Sequence, residues 1–404
     1  MSDETLNIFQ QLPHEILPEA DADEASRQEF VKSFKQYIQN AILPGVKVAF
    51  DQRAAPAFKR QTGAAPDDRW KVREAMNDDA YFQGYVSLQR ISQELMWRSV
   101  VDSVDRQLPD LISKVDQIEA IGGSLSVDPD FEPPRYVTAL DIHCMPGGYA
   151  GVVTEKDVAA GAVYDRGVYL YAMGYMGPFN DDMGRSVVNY VQRNYPEFKP
   201  EKIVDLGCTI GHSTVPFKEC FPQAEVHGVD VGEAILRYGH GRAESMGYAV
   251  HFSQQDASSL NYDDNSFDLV VSHILLHETS GKAMPKIFEE CYRILKPGGL
   301  MIHADLPPFE NMGAYQQFIL DNETYYNNEP FWGAMRDLDQ IEMSVKAGFD
   351  RDKIKFDTAP MAIMEMYAGD QSHAEELASE LADREFEAGE YAPGGGWEVL
   401  IAQK

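Results

Sequence analysis

The sequence predicts an α/β fold organised on an open sheet, and three observations carry that expectation. Short apolar runs rich in Val and Ile recur between helical-looking segments from residue 203 onward. The stretch KIVDLGCTIGHS at 202–213 runs from one such strand (Ile203, Val204, Leu206) through a turn bearing Gly207 and Gly211. It enters a helix expected at 213–220. The next two strands, at 225–230 and 251–256, each end in an acid, Asp230 and Asp256.

Each element has its own reason. Gly207 and Gly211 allow a tight turn and a close approach of backbone to a ligand. A strand that turns into a helix presents free N–H groups at the helix start, which suits a nucleotide or nucleoside. Asp230 follows at about the 20-residue distance at which an acid meets a ribose diol. A fourth strand is expected at 267–272. Residues 294–302 (ILKPGGLMI) read as a helix end, a Pro-Gly-Gly turn and a fifth strand.

Together these features resemble the class I S-adenosylmethionine-dependent methyltransferases. The resemblance covers about residues 203–305, plus closing strands expected at 353–357 and 397–402. DLGCTIG at 205–211 is similar to that family's first motif, with Thr209 where the family usually has its middle glycine. The resemblance implies a doubly wound, Rossmann-like methyltransferase sheet whose last strand is antiparallel. It implies S-adenosylmethionine as cofactor, held by Asp205, Gly207, Cys208, Gly211, Asp230, Val231, Asp256, Ala257 and Ser272. The chemistry agrees. S-adenosylmethionine carries no phosphates, so no phosphate cradle is needed, while Asp230 can accept from both ribose hydroxyls. A dinucleotide-binding domain would need the full G-x-G-x-x-G pattern and leaves the Lys-Pro-Gly-Gly turn unexplained.

At 404 residues the chain has room for more than this core. Its hydrophobic content of 44% is ordinary for a soluble globular protein. A formal net charge of −30 argues against a nucleic-acid partner, because phosphate contacts want a basic surface. Cys144, Cys208, Cys220 and Cys291 show neither paired nor metal-binding spacing and read as reduced thiols of a cytoplasmic protein. No signal segment and no run of transmembrane length is evident, so no membrane role is expected. The oligomeric state stays open, a homodimer among the alternatives.

Residues 1–125 read as a mostly helical N-terminal domain. An amphipathic helix at 24–42 carries Phe30, Phe34, Tyr37 and Ile38 at helical spacing and ends at Leu43-Pro-Gly45. A connection is expected to 67. A second helix at 79–108 carries Tyr81, Tyr85, Leu88, Ile91, Leu95 and Trp97, and Pro109 breaks it. The aromatic stripe reads as core packing. Residues 126–180 read as a linker and lid, with a plain linker at 122–134 and an alternating strand at 135–142. A turn at 143–148 reads as a loop with an incidental His143. A Tyr-dense stretch bears the lid candidates Tyr164, Arg166, Tyr169 and Tyr171. Residues 181–404 form the methyltransferase domain, opening with a helix at 181–194. It carries a helical insertion at about 308–335, a helix at 335–347, an acidic helix at 375–387 and a flexible turn at 393–396.

The reacting groups of an open α/β sheet gather beyond the carboxyl ends of the strands. The fourth strand leads to His273, His277 and Glu278, and the fifth to His303 and Asp305. His277 is the leading general base, with Glu278 orienting it or acting alone and His303 a further candidate. His273, His277 and Asp305 could be assembled into a metal set, but the acid-rich pattern of metal-dependent members is not evident, so no metal is expected. Tyr169, Tyr326 and Trp332 are the substrate-binding candidates, within two aromatic-rich segments that could cap a planar or cationic acceptor. The function expected is methyl transfer to a small-molecule acceptor. The alternatives are a protein methyltransferase docking through the N-terminal domain, or a non-catalytic cofactor-binding protein.

Overall fold

The computed structural model describes residues 10–310, 312–368 and 395–404. Its strands are β1 (Ser124–Ser126), β2 (Lys202–Leu206), β3 (Glu225–Asp230), β4 (His251–Gln254), β5 (Phe267–His273), β6 (Leu295–Asp305), β7 (Ile354–Pro360) and β8 (Gly396–Gln403). They form one sheet of eight in the order β1-β4-β3-β2-β5-β6-β8-β7. β1 to β6 run parallel, and β8 is antiparallel to both β6 and β7. Alternate side chains serve opposite faces. Ile203, Leu269, Val271, Leu300 and Ile302 pack on one side with the helix Asp182–Asn194. Val204, Val270 and Met301 pack on the other with the helix Met284–Ile294. This is the doubly wound α/β architecture expected, with its antiparallel closing strand.

Two stretches of the sequence reading are corrected. The linker expected at 122–134 contains β1, which pairs with β4 and extends the sheet; a strand of three residues is too short to give a periodic signal. The strand expected at 135–142 is instead a short helix, Arg135–Thr138, followed by a 3-10 turn at Ile142–Cys144. The acidic helix at 375–387 lies outside the described residues, as do residues 393–394 of the turn at 393–396. The insertion is helical as expected, in short pieces at Ala314–Leu320, Asn322–Tyr326 and Trp332–Arg336. All four cysteines are free, and three are buried. Among the described residues no helix is long and apolar enough to cross a membrane.

The N-terminal helices also depart from expectation. Leu43-Pro-Gly45 does not end the first helix. Ala22–Tyr37 passes through a π-turn at Ile38–Ile42 into Leu43–Ala49, and a second π-turn at Phe50–Ala54 leads into Ala55–Thr62. Each π-turn sits just before a proline, Pro44 or Pro56, which then falls in the first turn of the next helix. There its missing N–H costs nothing. Pro109 lies inside a single helix, Ala80–Gln117, rather than breaking it. Burial of Val104 and Leu111 on either side offsets the lost hydrogen bond. The aromatic stripe is not core throughout. Tyr85 and Trp97 are buried, but Phe30, Tyr37, Tyr81, Ile91 and Leu95 are exposed. Polar side chains share the contact between the two long helices with Val31. Gln28 donates to Ser99 O at 3.2 Å, and Arg106 pairs with Glu24 at 2.7 Å.

One buried carboxylate joins the N-terminal part to the sheet domain. Asp165, on the helix Ala159–Tyr171, is 1% exposed. It meets His14 Nε2 at 2.8 Å, His212 Nε2 at 3.1 Å, Tyr238 OH at 3.0 Å and Arg242 Nε at 3.3 Å. Burial opposes its ionisation, yet His14 and Arg242 hold its carboxyl well below the usual range. Replacing it strands the fully buried Arg242 charge. Asp165→Asn is therefore expected to lose about 3–5 kcal/mol of stability, read as an earlier urea midpoint. An unchanged midpoint would mean that the node carries no net stability.

Candidate active site

β2 has β3 on one side and β5 on the other, so the sheet order reverses at β2. The crevice beyond the carboxyl ends of such strands is where ligands bind in open α/β sheets. A cavity of about 1440 Å³ opens there.

One end is built by the glycine turn. Thr209, which stands where a glycine was expected, has φ 46 and still turns the chain. Its N–H donates to Asp230 Oδ2 at 3.0 Å, and Gly232 N–H donates to Oδ1 at 3.0 Å. Each oxygen therefore keeps a lone pair for a further donor. Gly207 has φ 70, and a Cβ there would lie 2.6 Å from Leu275 Cδ1. Asp205 is fixed by Thr214 Oγ1 at 2.6 Å and His273 Nδ1 at 3.0 Å. Asp205, Gly207, Cys208, Asp230, Val231, Ala257 and Tyr164 all line the cavity. Tyr164 stacks on His212, ring centroids 5.8 Å apart. Three expected cofactor residues do not line it. Gly211 shapes the turn from behind, its N–H on Cys208 O. Asp256 accepts from Ser258 N–H at 2.8 Å, while its neighbours Gln255 and Ala257 face the cavity. Ser272 is buried against His303.

The other end gathers imidazoles and carboxylates. His277 Nδ1 lies 2.6 Å from Asp305 Oδ1, and its Nε2 lies 3.8 Å from Glu278 Oε1. Asp305 is itself held by the N–H groups of Leu276 and Leu306, each at 2.8 Å. Burial would lower the His277 pKa, but Asp305 and Glu278 reverse this and raise it. His143 lies against the same Glu278, Nε2 to Oε1 at 2.7 Å, and its Nδ1 is 3.0 Å from Glu329 Oε1. Tyr149 OH donates to Glu278 at 3.3 Å.

His303 is not part of this group. Its ring faces Phe288 and its Nδ1 contacts Ser272 at 2.6 Å, on the helix-packed side of β6; burial pushes its pKa down to about 4. The strand alternation that brings Asp305 toward the cavity accounts for this only in part, because both residues share a face and only the strand end reaches the crevice. Of the substrate candidates, Trp332 lines the cavity with its ring 5.0 Å from that of His277. Tyr169 does not; it packs beneath Lys32 and Arg166. Tyr326 packs on Phe82 instead. Tyr171 and Tyr315 line the cavity, whereas Arg166, Tyr325 and Phe331 do not.

His143, Tyr149 and Glu329 were missed as site residues. The HCMPGG turn was the only signal for His143, and Glu329 had none. The backbone now supplies one: His143 has φ 55 and Cys144 φ 59, a left-handed pair that aims the imidazole inward.

Residues 203–299 match a family model described as a methyltransferase domain. Demethylmenaquinone methyltransferase of Thermus thermophilus is 34% identical over 28% of this chain and 50% of its own length. Phosphoethanolamine N-methyltransferase 1 of Arabidopsis thaliana is 30% identical over 26% of this chain and 21% of its own. The chain thus spans half or less of these relatives. Among solved structures, Haemonchus contortus phosphoethanolamine N-methyltransferase 2 in complex with S-adenosyl-L-methionine has a TM-score of 0.40 at 20% identity, covering 63% of this chain and 60% of that one. The matched segment thus resembles the methyltransferase domain of the class I S-adenosylmethionine-dependent methyltransferases. The cofactor of that family is S-adenosylmethionine, and the glycine cradle beside Asp230 fits it.

Two substitutions test this end of the cavity. Asp230→Ala removes the two oxygens offered to a ribose and should weaken S-adenosylmethionine by roughly 1–3 kcal/mol, measured by calorimetry; unchanged affinity in a folded variant removes Asp230 from the site. Gly207→Val should abolish binding, because a branched side chain meets Leu275 and resists positive φ. Normal binding by that variant would displace the cofactor from this turn.

Proposed function

We propose that the protein transfers a methyl group from S-adenosylmethionine to a small-molecule acceptor held between Trp332 and the His277–Glu278 pair. The observation that supports this most is that the Asp230 turn and the His277–Asp305 pair open into one cavity. A pocket of roughly 300–1,000 Å³ holds one drug-sized ligand. A volume of about 1440 Å³ leaves room for cofactor and acceptor together. The walls come from the chain's own N-terminal helices (Leu43, Lys47) and from the insertion (Tyr315, Ile319). That enclosure favours a small acceptor over a docked protein. The net charge of −30 disfavours nucleic acid.

The bound cofactor supplies a methyl group already activated on a sulfonium. What remains for the protein is positioning, exclusion of water and, where the acceptor carries one, handling a proton. Asp305 holds Nδ1 of His277 as a donor, so the Nε2 lone pair faces Glu278 and the cavity. Trp332, pinned by its Nε1–H on Leu320 O at 2.8 Å, closes over that ring and keeps water out. The two relatives are named for chemically different acceptors, demethylmenaquinone and phosphoethanolamine. Specificity therefore belongs to the His143–Trp332 end of the cavity rather than to the shared cofactor turn.

Incubation of the protein with methyl-labelled cofactor, against a metabolite extract and a protein extract in parallel, should label a small molecule only. Label confined to protein would favour the docking alternative, and no label in either would favour a non-catalytic binder. With the acceptor in hand, His277→Ala should lower turnover by ~10²–10⁴-fold where a proton is lost and leave cofactor affinity intact. Undiminished turnover would exclude His277 from the chemistry.

A further inference from the structure

His143 and His277 reach one point in the same way. Each places Nδ1 against a buried carboxylate, Glu329 at 3.0 Å and Asp305 at 2.6 Å. Each turns Nε2 toward a single shared oxygen, Glu278 Oε1, at 2.7 and 3.8 Å. From these contacts we infer that His143 Nε2, His277 Nε2 and Glu278 form a two-histidine, one-carboxylate site for a first-row divalent cation of the zinc or iron(II) class, open toward the acceptor end of the cavity.

The spacing fits. Donor atoms of His143, His277, Glu278 and Glu329 all lie within 4.8 Å of one another. A zinc ion with bonds of about 2.0–2.2 Å holds its donors roughly 3.3 Å apart, between the two observed Nε2–Oε1 distances. The outer contacts fit too, since metal-bound imidazoles donate their other N–H to carboxylates. Asn327 Nδ2 is 3.2 Å from His143 Nδ1 and 2.6 Å from Glu329 Oε1. With the proton on Nδ1, His143 donates to Glu329 Oε1, which also accepts from the Asn327 amide, and that tautomer leaves Nε2 to bind a metal.

A second observation points to a missing cation. Glu329 is 0% exposed, and its Oε2 has no hydrogen-bond partner. Glu278, Glu329 and Asp305 thus bring three carboxylates around two imidazoles, and a dication would offset the excess negative charge. Nitrogen and carboxylate donors in this ratio suit zinc or iron(II) better than magnesium or calcium, which take oxygen sets. The left-handed backbone at His143 and Cys144 would be retained to aim Nε2 at this point. The cavity wall opposite Glu278 leaves a coordination position for an acceptor oxygen, nitrogen or sulfur.

The inference rests on the acceptor being held at this end, but metal binding is measured without acceptor or turnover, so the two readings fail separately. The tag-free, chelator-treated full chain is titrated with zinc chloride by calorimetry and with cobalt(II) by visible absorption. One equivalent should bind, with cobalt bands of low-coordinate nitrogen and oxygen ligation. Glu278→Gln keeps the side-chain shape and should weaken zinc at least 10-fold. Glu329→Gln, which alters the carboxylate behind His143 Nδ1 and leaves His277 and Glu278 in place, should weaken it by ~10–100-fold. His251→Ala, at the far edge beside β1, should leave it unchanged. No binding, or equal binding by wild type and Glu278→Gln with a folded circular dichroism spectrum, overturns the site. S-adenosylmethionine affinity of the metal-free chain should be unaltered, and its loss would place the ion at the cofactor turn instead.

Discussion

The architecture depends on one buried anion. Asp165 receives His14 from the N-terminal segment, His212 from the glycine turn, and Tyr238 and Arg242 from the helix after β3. Those groups come from elements that also meet through apolar packing, which is tolerant of small slides. A hydrogen-bonded charge is less tolerant, because each misplaced partner leaves a buried polar group unsatisfied. The position of the N-terminal helices over the cavity is therefore coupled to the position of the turn that carries Thr209 and Gly207. Burial pushes His212 down to about 4, so it meets Asp165 as a neutral donor and adds no second charge to the node.

How much of this was legible in the sequence follows from where each signal resides. β2, β3, β5 and β6 announced themselves because they are largely buried and bounded by glycine, proline or an acid, and the partly buried β4 because an acid follows it. β1 did not, being three residues long. The N-terminal helices were legible as helices but not in their ends. Proline reads as a stop, and only a π-turn placed just before Pro44 and Pro56 removes its penalty. Apolar spacing also misjudged which face is covered, because Gln28 and Glu24 make the contact that Phe30 and Tyr37 were expected to make.

The two ends of the cavity differ in the same respect. The glycine-turn end is local. Gly207, Thr209 and Asp230 lie within one βαβ unit, so spacing along the chain stands for proximity in space. The His143–Trp332 end is assembled from three separate segments, at 143–149, 277–278 and 327–332, and no periodicity relates them. His277 and Glu278 were found because strand ends are privileged positions, and His303 was added by the same logic although its side chain is enclosed under the helix Met284–Ile294. His143 was passed over because a histidine in a loop is ordinarily incidental. Its left-handed backbone, invisible in the sequence, is what marks it out.

The place of β8 between β6 and β7 has a kinetic consequence. β7 and β8 pair with each other antiparallel, and only β8 pairs with β6, so β7 reaches the rest of the sheet through β8 alone. Until β8 is in place the edge of β6 is an unpaired template, and a pairing of such long range is slow to form. The same pairing brings Trp397 to Asp182, its indole N–H donating at 2.8 Å, and so completes one wall of the cavity. Ligand competence is in this way tied to completion of the sheet rather than to formation of the glycine turn alone.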